Sequence, residues 1–210
     1  MLYSSEARWF VSGTSFEDIL RWFISGTDCS PKIVQEHEYL ALNGCTSTGV
    51  KLREGRFEIK ALRAVPRPFT LEESITGIVE EWVKWSFASG ELHKLSDSLH
   101  ESGSWLKVSK ERFLRRYTPQ AGGLVETPAT EKPFGDVGCN IEVTAVEVDG
   151  KPGLWTTCAF EAFGPISITG RILSQALHQF FQERGPIPGV PLTENQSFGY
   201  PTWLSSITSP

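Results

Sequence analysis

The chain has 210 residues, 40% of them hydrophobic and 21% charged, with a formal net charge of −5 at pH 7. That length suits one domain with a real core, and the acidic balance argues against a general nucleic-acid binder. No stretch approaches the roughly 20 apolar residues of a membrane helix, and the opening residues hold no basic start followed by an apolar run, so neither a membrane span nor a signal peptide is expected.

Seven Trp and thirteen Phe against one Met suggest a core built on rings, which favours strands. The four cysteines, Cys29, Cys45, Cys139 and Cys158, form no Cys-x-x-Cys pair. A zinc site is therefore not expected, and a reduced, cytoplasmic protein is the simplest reading.

In chain order, Ala7 to Val11 is a short strand ending at Ser12-Gly13. Thr14 or Ser15 caps a helix with Glu17 and Asp18 in its first turn. Phe16, Ile19, Leu20 and Phe23 form its apolar stripe, and Gly26 closes it. Lys32 to Leu42 is a second strand, with Glu36, Glu38 and Leu40 on one face. Gly49 to Leu62 predicts a β-hairpin turned at Glu54-Gly55. The turn sets Arg53 opposite Arg56, Lys51 opposite Glu58 and Gly49 opposite Lys60. Leu52, Phe57, Val50 and Ile59 then share the other, apolar face.

Pro66 and Pro68 exclude a central strand just beyond the hairpin. Ile75 to Phe87 is a long strand with apolar residues on both sides, expected to pack on both faces. Gly90 to Ser104 is polar and irregular. Trp105 to Tyr117 is a further strand, with Lys110 and Arg112 on one face. Thr118 to Gly138 is expected to be a long loop. Cys139 to Val148 and Leu154 to Phe163 form a second hairpin carrying Glu142 and Glu161. Ile172, Ala176, Leu177, Phe180 and Phe181 mark a last amphipathic helix, ended by Gly185-Pro186. The segment Ser197 to Leu204 is expected to dock on the body.

These elements amount to seven or eight strands and two helices in one domain spanning residues 1–210. Their order predicts an α+β fold, a closed or nearly closed antiparallel β-barrel of about eight strands with helices packed outside. Eleven of the twenty Lys and Arg fall in two windows, Lys51 to Arg67 and Lys107 to Arg116. If helices cover the barrel's outer wall, the hairpin's apolar face points out to them and its charged face lines the lumen. A lumen so crowded with cations needs an anionic ligand or opposing carboxylates. A solvated charged face is the plainer alternative for any single hairpin.

The order of motifs resembles the CYTH-like family, the triphosphate tunnel metalloenzymes. The resemblance rests on Gln35 to Leu40, on Val50-Lys51-Leu52-Arg53, and on Phe57-Glu58-Ile59-Lys60. It extends to Lys110-Glu111-Arg112, Asp149-Gly150 and Phe160 to Gly164, and to the C-terminal helix and aromatic tail. The family's fold is an eight-stranded antiparallel tunnel. Its members bind triphosphates with inward Arg and Lys, and Mg²⁺ or Mn²⁺ with inward Glu. Their activities include triphosphatase and adenylate cyclase.

Carried onto this chain, the resemblance implies phosphate binding by Arg8, Lys51, Arg53, Lys60, Lys110 and Arg112. Metal binding falls to Glu38, Glu142 and Glu161, and the implied partner is a small phosphorylated anion. Two departures stand out. The first strand offers Glu6-Ala7-Arg8 where the family has Glu-x-Glu-x-Lys, and Glu161 is followed by Phe163 where the family has Glu-x-Glu. Both remove metal ligands. A tunnel that holds an anion without cleaving it is therefore the alternative, and a lipocalin-like barrel with an apolar lumen is a third reading.

Overall fold

The computed structural model describes residues 1–12, 15–26, 31–88, 105–129 and 136–208. Among these residues there are ten strands: β1 (Leu2–Val11), β2 (Ile33–Leu40), β3 (Thr48–Arg53), β4 (Arg56–Leu62), β5 (Arg67–Glu72), β6 (Ile75–Ala88), β7 (Trp105–Gln120), β8 (Gly123–Thr127), β9 (Gly138–Val148) and β10 (Trp155–Gly164). The described residues also form three α-helices: α1 (Phe16–Ile24), α2 (Ile166–Arg184) and α3 (Tyr200–Thr208).

Eight strands close on themselves in the order β1-β10-β9-β7-β2-β3-β4-β6 and back to β1. Every pairing between them is antiparallel. The fold is thus the expected α+β barrel. Two strands lie outside the ring: β5 pairs with β6, and β8 with β7.

The barrel interior and its outer layer follow from strand parity. On β1, Ser5, Ala7, Trp9 and Val11 face outward, while Glu6, Arg8 and Phe10 face the lumen. α1 and α2 cover the outer faces of β1, β9 and β10. Phe16, Ile19 and Phe23 of α1 meet Ile172, Ala176, Leu177, Phe180 and Phe181 of α2 there, over Trp9, Ile141, Val143 and Phe160. Gly185 ends α2 at φ 68°, its N–H bonding the Phe181 carbonyl, as the Gly-Pro signal predicts.

The β3–β4 hairpin pairs as the turn chemistry predicts: Arg53 with Arg56, Lys51 with Glu58, and Gly49 with Lys60. Its apolar face does point outward, but the helices lie on the β1–β10–β9 side instead. On that outer wall Phe57 packs against Phe87 and Trp105. Trp85 and Phe87 stay 39% and 42% exposed, so the second half of β6 does not pack on both faces as expected.

Other expectations shift. β5 carries Pro68 but pairs along one edge only, which spares its missing N–H. Thr118 to Gly138 is not wholly loop, since β7 runs on to Gln120 and turns back into β8. The expectation for 90–104 lies outside the described residues.

The C-terminal segment completes the barrel. β1 pairs with β6 only from Leu2 to Glu6. Beyond that seam the two strands part, and the tail enters the gap. Ser197 bridges Trp9, and Leu192 bridges Ile75. The Ser197 hydroxyl accepts the Ile78 N–H at 2.8 Å, and the Phe198 N–H bonds the Arg8 carbonyl. α3 then fills one end of the lumen. Trp203 and Leu204 pack on inward Phe10, Tyr39, Val108, Val146 and Val148.

Candidate functional site

Below that apolar plug the lumen turns polar. A cavity of about 140 Å³ is lined by Glu6 and Arg8 of β1, and by His37 and Tyr39 of β2. Lys51 and Arg53 of β3, Glu58 and Lys60 of β4 and Lys84 of β6 form the opposite wall. Lys110 and Arg112 of β7, Glu142 and Thr144 of β9, Glu161 of β10 and Tyr200 of α3 complete it. Seven cations thus face four carboxylates. The charged face of the central hairpin lines an enclosed channel, so an oily lumen is not what this barrel has.

The charges form three clusters. Arg8 and Arg112 grip Glu142 at 2.8 and 3.3 Å. Burial alone would raise the Glu142 pKa, but Arg8, Arg112 and Lys110 hold it down at about 2. Lys51 and Arg53 approach Glu58 at 2.9 and 3.5 Å. Lys60 reaches both oxygens of Glu6 at 2.5 Å, and despite burial that ammonium keeps the carboxyl below its usual range. On the other side of Glu6 sits Glu80. Burial and the Glu6 charge push its pKa up, while it accepts the Gly199 N–H at 3.2 Å and so helps fasten the tail.

Lys110 is placed differently. It donates to the Tyr39 hydroxyl at 2.8 Å and lies 3.5 Å from the centre of the Tyr200 ring. The tyrosine faces attract it, yet it makes no ion pair among the described residues. Burial, then Lys51 and Arg8, take its pKa well below the ordinary lysine value. Lys84 likewise makes no ion pair among the described residues. Burial also lowers Lys51, to about 8, aided by Lys84 and Arg53 and opposed by Glu58.

Depth is graded. Arg53, Lys60 and Arg112 keep 29%, 27% and 26% of their side-chain surface, against 8% for Arg8 and 9% for Glu142. Arg53, Lys60 and Arg112 are thus the more exposed cations of the lumen, and Arg8 is among the most deeply buried.

All six expected phosphate-binding residues, Arg8, Lys51, Arg53, Lys60, Lys110 and Arg112, line this one cavity, as do Glu142 and Glu161. Glu38 does not. It sits on the outer wall, in register with Leu52 and Lys107. His37 and Tyr39 take the inward positions of β2, and a period of two sends Glu38 the other way.

Mg²⁺ or Mn²⁺ would need carboxylate oxygens free to turn to it. Glu6, Glu58 and Glu142 are each held by cations instead, and the described residues hold no group of three or more His, Cys, Asp or Glu placed for a metal. As it stands, the donor set does not fit a divalent cation. Glu161, in register with Glu6 and Asn140, forms no ion pair among the described residues.

Sequence reading missed Lys84, His37, Thr144 and Tyr200. Alternation of Glu80, Trp82 and Lys84 is a signal for the first of these. Tyr200 has no such signal, because only the docking of the tail brings it into the barrel.

No helix among the described residues is long and apolar enough to cross a membrane. Neither a family model nor a curated protein matches the chain. Among solved structures, the chain is similar to a conserved hypothetical protein from Pyrococcus furiosus at 12% identity and a TM-score of 0.44, over 92% of this chain and 94% of that one. It is also similar to a protein from Pyrococcus horikoshii at 15% identity and a TM-score of 0.46, over the full length of both chains.

Proposed function

We propose that the barrel binds a phosphorylated anion, such as a triphosphate, a polyphosphate or a phosphate ester, in its basic lumen and holds it without a metal. The observation that carries this reading is the excess of cations over carboxylates in one channel, with Lys84 and Lys110 outside any ion pair among the described residues. Bringing seven cations together raises the energy of the free protein, and an anion relieves that repulsion. Arg forks meet phosphate oxygens two at a time, and Lys adds point charge. This is also what the resemblance to the CYTH-like family implies for the cations.

Tripolyphosphate should raise the melting temperature of the protein in a concentration-dependent way. Arg53→Ala should remove most of that shift at low salt while leaving the ligand-free melting temperature within a few degrees. A melting temperature indifferent to tripolyphosphate, and to phosphate esters, would end the reading. Metal-dependent hydrolysis is the competing reading, and it would require Glu6 to leave its ion pair with Lys60 and turn with Glu161 to a cation. Phosphate release from tripolyphosphate in Mn²⁺, absent without it and lost in Glu161→Gln, would establish it over simple binding.

A further inference from the structure

His37 is the odd member of the lumen. It is 3% exposed, it lines the cavity, and neither ring nitrogen has a hydrogen-bond partner among the described residues. Groups buried this deeply are ordinarily bonded, and an unmet one needs an explanation. Burial and the surrounding Lys110, Lys51, Arg53 and Arg112 hold its pKa far below the ordinary value, so the ring is neutral.

A neutral imidazole carries one N–H donor and one bare nitrogen acceptor. No lumen cation among the described residues donates to that acceptor. Lys51 and Arg53 are engaged by Glu58, Arg112 by Glu142, and Lys110 by Tyr39. The same lumen holds further unmet groups, among them the Thr144 hydroxyl, 1% exposed, and the Tyr200 hydroxyl.

We propose that His37 contacts the ligand directly and reads a hydroxyl group on it, so that the favoured ligand is a phosphorylated sugar or polyol and not a bare polyphosphate. The imidazole N–H donates to a phosphate oxygen. The bare nitrogen accepts the ligand's O–H, and the Thr144 hydroxyl can serve either sense. An inorganic polyphosphate offers acceptors only and leaves one nitrogen of His37 unmet. The proposal rests on the anion-binding reading and narrows its ligand class.

Calorimetry at pH 7.5 and low salt with three probes tests it: tripolyphosphate, glycerol 3-phosphate, and propyl phosphate, which lacks the two hydroxyls. Wild-type protein should bind glycerol 3-phosphate about five- to tenfold more tightly than propyl phosphate, the worth of one or two buried hydrogen bonds. His37→Leu should bring that ratio to near one and, through the lost N–H contact to phosphate, weaken tripolyphosphate binding by about tenfold. His37→Gln, which keeps a donor and an acceptor, should retain part of the preference.

Tripolyphosphate binding with a wild-type ratio near one overturns the His37 assignment and leaves the anion site standing. So does a ratio that His37→Leu does not alter. If none of the three probes binds, the anion reading falls and this proposal falls with it. The wild-type ratio needs no variant, so the first comparison decides even if a substitution unfolds the barrel.

Discussion

Lys51 shows how a lumen cation is tuned. Its pKa of about 8 lies below the ordinary lysine value because burial and two neighbouring cations outweigh Glu58. Between about pH 8 and the unfolded value the native state binds fewer protons than the unfolded chain, so this group makes stability rise with pH there. Anion binding runs the other way. As pH climbs through 8 the free protein loses a lumen charge, and affinity for tripolyphosphate should fall by up to about tenfold per pH unit. Lys51→Arg, which stays charged, should flatten that fall when binding is measured from pH 7 to 9.5. Lys110 makes the complementary case, since a buried cation without a carboxylate costs the free protein stability. Lys110→Met should raise unfolding free energy by about 1–2 kcal/mol in urea titrations and weaken tripolyphosphate binding in the same preparation.

The β3–β4 hairpin is the element that aims Lys51, Arg53, Glu58 and Lys60, and its turn is the place to test it. Glu54 and Gly55 both have positive φ, 49° and 69°, as a type I′ turn requires. Gly55 suits that conformation and Glu54 does not, so the turn bears a local cost in exchange for register. Glu54→Asn should stabilise the protein by about 0.5–1 kcal/mol, read as a higher denaturation midpoint at an unchanged slope. No change, or a loss, would mean that the weak contact of Glu54 with Gln35 at 3.4 Å matters more than backbone strain.

For the molecule as a whole, the tail is a structural stave and a stopper together. Its backbone closes the seam that β1 and β6 leave open, and α3 buries the apolar rim of the lumen. Trp203, 1% exposed, stacks on Phe10 at 4.9 Å and meets Trp155 and Tyr200 edge-on. Trp203→Ala should cost about 3–5 kcal/mol and admit a hydrophobic dye to the barrel end. It should also weaken tripolyphosphate binding, because Tyr200 then loses the packing that holds it against Lys110 and Arg8. Wild-type anion affinity in that variant would separate the plug from the binding site.

The hairpin register, the parity of Lys110 and Arg112, and the ends of α2 could all be read from residue order. Each depends on neighbours a few positions apart, through turn chemistry, a period of two, or a Gly-Pro stop. Glu38 marks the limit of such reading. Alternation groups it with Glu36 and Leu40, but which face of β2 looks inward depends on β7 and the tail, whose Lys110 and Tyr200 claim Tyr39 for the lumen. The ion pairs of Glu142 with Arg8 and Arg112 and of Glu6 with Lys60, and the solitary His37, likewise join strands far apart in the chain. They arise when the sheet closes, because closure brings distant inward faces within a few ångströms of one another.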